Sequence, residues 1–302
     1  MSITAPVGLS GEAFSVRKGP VELFAWRRRM TASANPVLVL VHGSSLSSLP
    51  CFDLEVPGLT DYSMMGWFAR RGYDVWTCDH EAYGQSMLTE SSSDVASGVE
   101  DLRALTDCMI EQTGSRTVMM YGLSSGALRA AAFAQAHPER VARLALDGFV
   151  WTGEGSEVLA KRRIAMAGRL EAPRRAIDEA FVRSIFERDA PGTTEDRVIE
   201  ACALAQLAYA DSVPTGTYRD MTERLPLVDP SKIGVPTLVA RGEHDGIASM
   251  ADLLGFYERL ASTDKQFAVV PGLAHVTPLG RYRHRMWRLL DAFFGLHGGA
   301  GA

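Results

Sequence analysis

Four short stretches carry residue types that can do chemistry. In MMYGLSSGALRAAAFA (residues 119–134), Ser124 stands two residues from a glycine on each side, after an apolar run and before an alanine-rich one. An ordinary turn serine needs no such symmetry. A serine held on a very sharp bend between a strand and a helix does, because a side chain at Gly122 or Gly126 would strike neighbouring backbone. VHGSS (41–45) closes an aliphatic run with His-Gly and two serines, RGEHDG (241–246) offers Asp245, and PGLAHVTP (271–278) offers His275. A serine hydroxyl is a weak nucleophile at neutral pH and needs a base to take its proton. Imidazole, which titrates near about pH 6.5, suits that work. A carboxylate can orient the imidazole and stabilise its charged form. These types together suit acyl transfer.

The elements that must position them can be read from periodicity. Segments 12–16 and 21–26, joined by Lys18-Gly19-Pro20, predict a hairpin. The run PVLVLVHG (36–43) is aliphatic throughout, as in strands buried on both faces of a parallel sheet. A short amphipathic helix, a break at Gly72 and a strand ending at Asp79 follow. Residues 92–113 carry apolar side chains at helical spacing with Asp94 near the start. Further strands are expected at 117–121, 141–146, 236–240 and 266–270, and helices at 125–137, 249–261 and 281–294. In the last helix Tyr282, Met286, Leu289, Leu290 and Phe293 form the apolar stripe, and Arg281, Arg283, His284, Arg285 and Arg288 the wet face. The alternation predicts an α/β fold, a doubly wound, mostly parallel sheet with right-handed crossovers. Residues 148–230 break it, with helical patterns, many charges and no convincing strand. They read as a helical cap inserted after the sixth strand into a core formed by 1–147 and 231–302. Each of the four chemical stretches then lies just past a strand, and open α/β sheets bind ligands at the carboxyl ends of their strands.

Composition excludes several functions. Net charge is −5 with no long basic run, so nucleic acid is not an expected partner. The four cysteines lie far apart without metal-ligand spacing, which fits a reducing compartment and no metal. No apolar run approaches the roughly 18–20 residues of a membrane span, and the first residues do not read as a signal peptide. A cytoplasmic protein without a cofactor is expected, with a small-molecule substrate as partner and homodimerisation left open.

The order Ser, Asp, His along the chain, the G-L-S-S-G bend and the loop DHEAYGQS (79–86) together resemble the α/β-hydrolase superfamily over about residues 20–295. Ala82 stands where that loop commonly has a first glycine. The resemblance implies Ser124 as nucleophile, His275 as base and Asp245 as the orienting acid, with Asp147 and Glu243 as competing acids. It also implies an oxyanion hole from the backbone N–H groups of Ser125 and Ser44. His42 is expected to support the oxyanion loop, and His80 and His244 to be loop scaffolding.

The elbow serine excludes relatives that use aspartate there. A carboxylic ester, lactone or thioester is the expected substrate, with carbon–carbon hydrolysis of ring-fission products as the nearest enzymatic alternative. A small-molecule receptor that retains the triad is the alternative of another class. Ser45, Phe52, Phe149 and Trp151, placed after strand ends, are expected to line an apolar cleft. The cap from Lys161 to Arg183 holds seven Lys/Arg against three Asp/Glu. This excess either forms a solvated face or turns cations such as Arg162, Arg163 or Arg169 toward a substrate with a free carboxylate.

Overall fold

The computed structural model describes residues 9–30, 35–166 and 171–295. The hairpin forms from β1 (Ser10–Lys18) and β2 (Val21–Arg29), followed by β3 (Val37–Val41), α1 (Ser48–Phe52), α2 (Met64–Ala69) and β4 (Asp74–Cys78). Then come α3 (Val95–Thr113), β5 (Val118–Leu123), α4 (Ser125–Ala136) and β6 (Val141–Asp147). After β6 the chain forms α5 (Glu157–Ala165), β7 (Arg174–Ala176), α6 (Glu179–Glu187), α7 (Asp196–Leu207), β8 (Ser212–Pro214) and α8 (Gly216–Arg219). It returns through β9 (Thr237–Gly242), α9 (Met250–Arg259), β10 (Lys265–Val270) and α10 (Arg283–Gly295).

Eight strands pair in the order β1-β2-β4-β3-β5-β6-β9-β10. The pairs β1–β2 and β2–β4 are antiparallel, and every other pair is parallel. Strand alternation divides the core between two faces. Val37, Val39 and Val41 join the apolar residues of α3, α4 and α9, while Leu38 and Leu40 join those of α2 and α10. Helix α3 starts where the Asp94 side chain accepts the Ser97 N–H at 2.9 Å. No helix among the described residues is long and apolar enough to cross a membrane.

Three sequence expectations change. The interval after β6 contains a two-stranded antiparallel ribbon, β7–β8. Strands of three residues, two of them arginine in β7, are too short to show a period of two. Tyr282 precedes α10 and is half exposed, and the buried stripe is instead Met286, Trp287, Leu290, Phe293 and Phe294. Arg283 is buried rather than wet, stacked over the Tyr62 ring at 3.6 Å and donating to the Asp61 carbonyl at 2.9 Å. Arg169 lies outside the described residues, as does nearly all of the glycine-rich tail.

The centre of the sheet is where backbones come closest. A β-carbon on Gly126, in the first turn of α4, would collide with the carbonyl oxygens of Val41 and His42, the latter 2.5 Å away. One on Gly122 would meet the Gly126 oxygen at 2.5 Å. Neither neighbour is a flexible side chain that could yield. Gly126→Ala should therefore cost about 2–4 kcal/mol of unfolding free energy. Gly234→Ala, whose β-carbon would meet nothing within 4 Å, should change it by less than about 0.5 kcal/mol. Urea denaturation reads both, and an unshifted midpoint for Gly126→Ala would contradict the close approach.

Candidate active site

Ser124 sits between β5 and α4 with φ 58° and ψ −125°, a strained conformation for a residue with a side chain. Its N–H donates to the Asp147 carbonyl at 2.8 Å, and its own carbonyl accepts from Ala127 at 2.9 Å. The bend is thus pinned from both sides, and it aims the hydroxyl at the loop after β10. There His275 Nε2 lies 3.0 Å from Ser124 Oγ, and His275 Nδ1 lies 2.9 Å from Asp245 Oδ2. With a neutral ring, Nδ1–H donates to the carboxylate and Nε2 accepts from the serine hydroxyl.

The three acids weighed from the sequence have different surroundings. The other oxygen of Asp245 accepts the backbone N–H groups of Ile247 and Ala248 at 2.8 and 3.1 Å. Burial works to raise this carboxyl, but His275 and the two amides outweigh it and hold it below its ordinary value. Asp147 also ends a central strand, yet it faces Tyr121 and Thr277, whose hydroxyls donate to its Oδ2, the first at 2.7 Å. Its Oδ1 is buried without a partner. Burial pushes this carboxyl up to about 7, against the two hydroxyls. Glu243 is half exposed and accepts the Gly272 N–H at 2.8 Å. Of the three, the His275 ring bonds Asp245.

Ser44 and Ser125, the expected oxyanion pair, are brought together from separate strand ends, with their hydroxyl oxygens 2.6 Å apart. Ser125 opens α4, where first-turn N–H groups have no intrahelical acceptor. His42 supports the loop: Nδ1 donates to the Gly43 carbonyl at 2.8 Å, and Nε2 accepts the His80 N–H at 3.1 Å. Burial, with the charges of nearby groups, holds the His42 ring well below its ordinary value and therefore neutral. The segment after β6 also grips this loop. Thr217 donates to Ser44 Oγ at 2.9 Å, and Arg175 donates to the Ser44 carbonyl at 2.8 Å and to Ser45 Oγ at 3.1 Å.

Ser124 and His275 open into a cleft of about 450 Å³, its mouth included. Its apolar wall comes from Leu46, Leu123, Ile185, Met221, Ile247 and Val276. Its polar wall includes Ser45, as expected, and also Arg162, Arg188 and Tyr218. Phe52, Phe149 and Trp151 do not line it. Phe52 is fully buried and meets Tyr121 edge-on, while Phe149 and Trp151 pack against Phe256 of α9. A position after a strand end places a residue near the cleft, but the turn that follows decides which way its side chain faces. Burial would raise the Tyr218 phenol, but the guanidiniums of Arg162 and Arg175 outweigh it and pull it down to about 7. No motif marked Tyr218, Thr217 or Arg175. The one signal was the basic excess of residues 161–183.

A family model described as serine aminopeptidase, S33, matches residues 58–279. No curated protein sequence matches. Among solved structures, a bromoperoxidase from Bacillus anthracis is 17% identical with a TM-score of 0.70, covering 95% of this chain and 100% of that one. The 2-hydroxy-6-oxo-6-phenylhexa-2,4-dienoate hydrolase of Rhodococcus sp. strain RHA1 is 18% identical with a TM-score of 0.68, covering 96% and 100%. A thermophilic esterase from Thermogutta terrifontis is 20% identical with a TM-score of 0.65, covering 95% and 99%. At such identities the structures speak for the fold. The family model spans most of the chain, Ser124 and His275 included, and the chain belongs to the serine aminopeptidase S33 family of the α/β-hydrolases.

Proposed function

We propose that this hydrolase cleaves a carboxylic ester-type bond (ester, lactone or thioester) of a small, largely apolar substrate through an acyl-enzyme on Ser124. The observation that carries this reading is the hydrogen-bonded chain Ser124–His275–Asp245 at the wall of a partly apolar cleft. As Ser124 Oγ attacks the carbonyl carbon, His275 Nε2 takes its proton and Asp245 stabilises the imidazolium. The oxyanion falls to the N–H groups of Ser125 and Ser44. His275 then gives the proton to the leaving oxygen or sulfur, and a water repeats the sequence to release the acid.

The family description names an aminopeptidase, whose substrates carry a free ammonium. Here such a group would meet Arg162 and Arg188 in the cleft wall, and like charges repel. That favours an ester over a peptide with a free amino end. Carbon–carbon hydrolysis additionally needs a proton donor at the leaving carbon. Here the loop after His42-Gly43 reads Ser-Ser-Leu-Ser-Ser, unlike the glycine- and proline-rich loop of hydrolases that perform it.

A fluorophosphonate should add mass to a single peptide, the one containing Ser124, and Ser124→Ala should abolish both labelling and turnover of short aryl esters. Efficient turnover of a ring-fission dienone with poor ester activity would overturn the ester reading. Fast multiple turnover of an activated ester separates an enzyme from a slow receptor.

Asp245→Asn should lower kcat by about 10⁴, the size of effect when the corresponding acid is neutralised in another triad. Asp147→Asn should lower it far less. The reverse ranking in steady-state assays would move the acid to the end of β6.

Asp147→Asn also carries a stability signature. With its pKa raised to about 7, the folded Asp147 keeps its proton where the unfolded chain has lost it. That contribution to stability is lost as pH rises toward and through about 7. Asparagine does not ionise, so the melting temperature of Asp147→Asn relative to the parent should climb between about pH 4 and pH 7 and level off above. A difference that stays constant with pH would show that the buried carboxyl is not protonated.

A further inference from the structure

The cleft holds more positive charge than its own residues balance. Arg162, on α5, and Arg188, just after α6, both line it with Ser124. Arg175, on β7, joins them around Tyr218. The guanidinium carbons of Arg175 and Arg162 lie 3.7 and 4.2 Å from the centre of the Tyr218 ring. Arg188 has a carboxylate partner, Asp189, at 3.1 Å. Arg175 donates to neutral acceptors only, on Pro214, Ser44 and Ser45, and its Nε is buried without a partner. Among the described residues no carboxylate lies within ion-pair distance of Arg162 or Arg175. Three guanidiniums thus face a single carboxylate and the Tyr218 phenol, which at about 7 is only partly ionised near neutral pH, so the cluster stays net positive.

A guanidinium withdrawn from water without a counter-charge destabilises the fold. Among the described residues Arg162 has no hydrogen-bond acceptor, and the Tyr218 ring face it meets offsets a fraction of that loss. The arrangement becomes favourable when a ligand supplies the missing negative charge. A carboxylate suits it, because guanidinium forks pair with carboxylates through two parallel hydrogen bonds. The Tyr218 hydroxyl, 3.3 Å from Ser45 Oγ, adds a polar group beside them.

We propose that Arg162 and Arg188, with the Tyr218 hydroxyl, form a subsite for a carboxylate carried by the substrate, so that the ester cleaved at Ser124 bears a free acid group. This inference rests on the reading of Ser124 as the nucleophile of the same cleft. The carboxylate sits in the subsite, the apolar wall encloses the carbon skeleton, and the scissile carbonyl reaches Ser124.

Two substrate series test it. The 4-nitrophenyl half-esters of succinic, glutaric and adipic acids carry the acid in the acyl part and are compared with their methyl-capped diesters. Acetoxybenzoates carry it in the leaving part and are compared with their methyl esters. At least one charged substrate should exceed its neutral partner in kcat/KM by about tenfold or more, mainly through KM. In Arg162→Gln that ratio should fall toward one, and Arg162→Lys should restore part of it. Arg188→Lys, which keeps a charge beside Asp189, should lower the ratio less than Arg162→Gln does. A ratio near one throughout both series, or one unchanged in Arg162→Gln, overturns the subsite.

Calorimetric titration of Ser124→Ala with monomethyl glutarate and with dimethyl glutarate reads the subsite without chemistry. Tighter binding of the monoester, lost when Arg162→Gln is added, supports the subsite even if no ester is turned over; in that case only the ester reading falls. Equal binding of the two overturns the subsite whatever the activity.

Discussion

The structure depends on one close approach of backbone to backbone. The first turn of α4 lies against the carbonyl oxygens of Val41 and His42 at the end of β3, where there is no room for a β-carbon on Gly126. That contact fixes how sharply the chain turns at Ser124 and how near the loop after β3 comes to the start of α4. The Ser44 and Ser125 hydroxyls meet at 2.6 Å because of it. The positive φ of Ser124 is the cost of the turn, and local strain of this kind persists only where the surroundings over-determine it. Here they do, through β5 pairing on either side and the hydrogen bond from the Ser124 N–H to Asp147.

Asp147 and Asp245 show how burial alone fails to define a carboxyl. Both are buried at strand ends of the same sheet. Asp245 meets the His275 imidazole and two backbone amides, which together outweigh burial, so its anion is favoured. Asp147 meets two hydroxyls and keeps one oxygen without a partner, so its proton is favoured. The upward shift of Asp147 to about 7 limits the negative charge that gathers beside Asp245.

Much of the sheet was legible because buried parallel strands announce themselves as aliphatic runs ending in glycine or a polar residue. Ser124, Asp245 and His275 could be picked out because each lies just past such a run, and the structure brings their side chains together. The limits are equally physical. The ribbon β7–β8 is too short to show alternation. Phe52, Phe149 and Trp151 occupy the expected positions after strands but turn into the core, since large aromatic side chains follow the packing of their neighbours. Arg162, Arg188 and Tyr218 come from three separate elements of the segment after β6 and share no spacing, so only three-dimensional packing could gather them. The basic excess of that segment was visible, but the choice between a wet face and a cleft wall lay in side-chain direction.

The bond from Arg175 to the Ser44 carbonyl has a consequence for how such a protein can change. A segment that only covered a cleft could be exchanged for another, leaving the groups that receive the oxyanion untouched. Here the same guanidinium stacks on Tyr218 and holds the loop on which Ser44 sits. The Tyr218 wall of the cleft and the loop that carries Ser44 are mechanically one piece. Grafting a foreign segment between β6 and β9 would loosen that loop unless the graft returned a donor to the Ser44 carbonyl. Single side chains of the cleft wall can therefore change with less disturbance to the Ser44 loop than the segment as a whole.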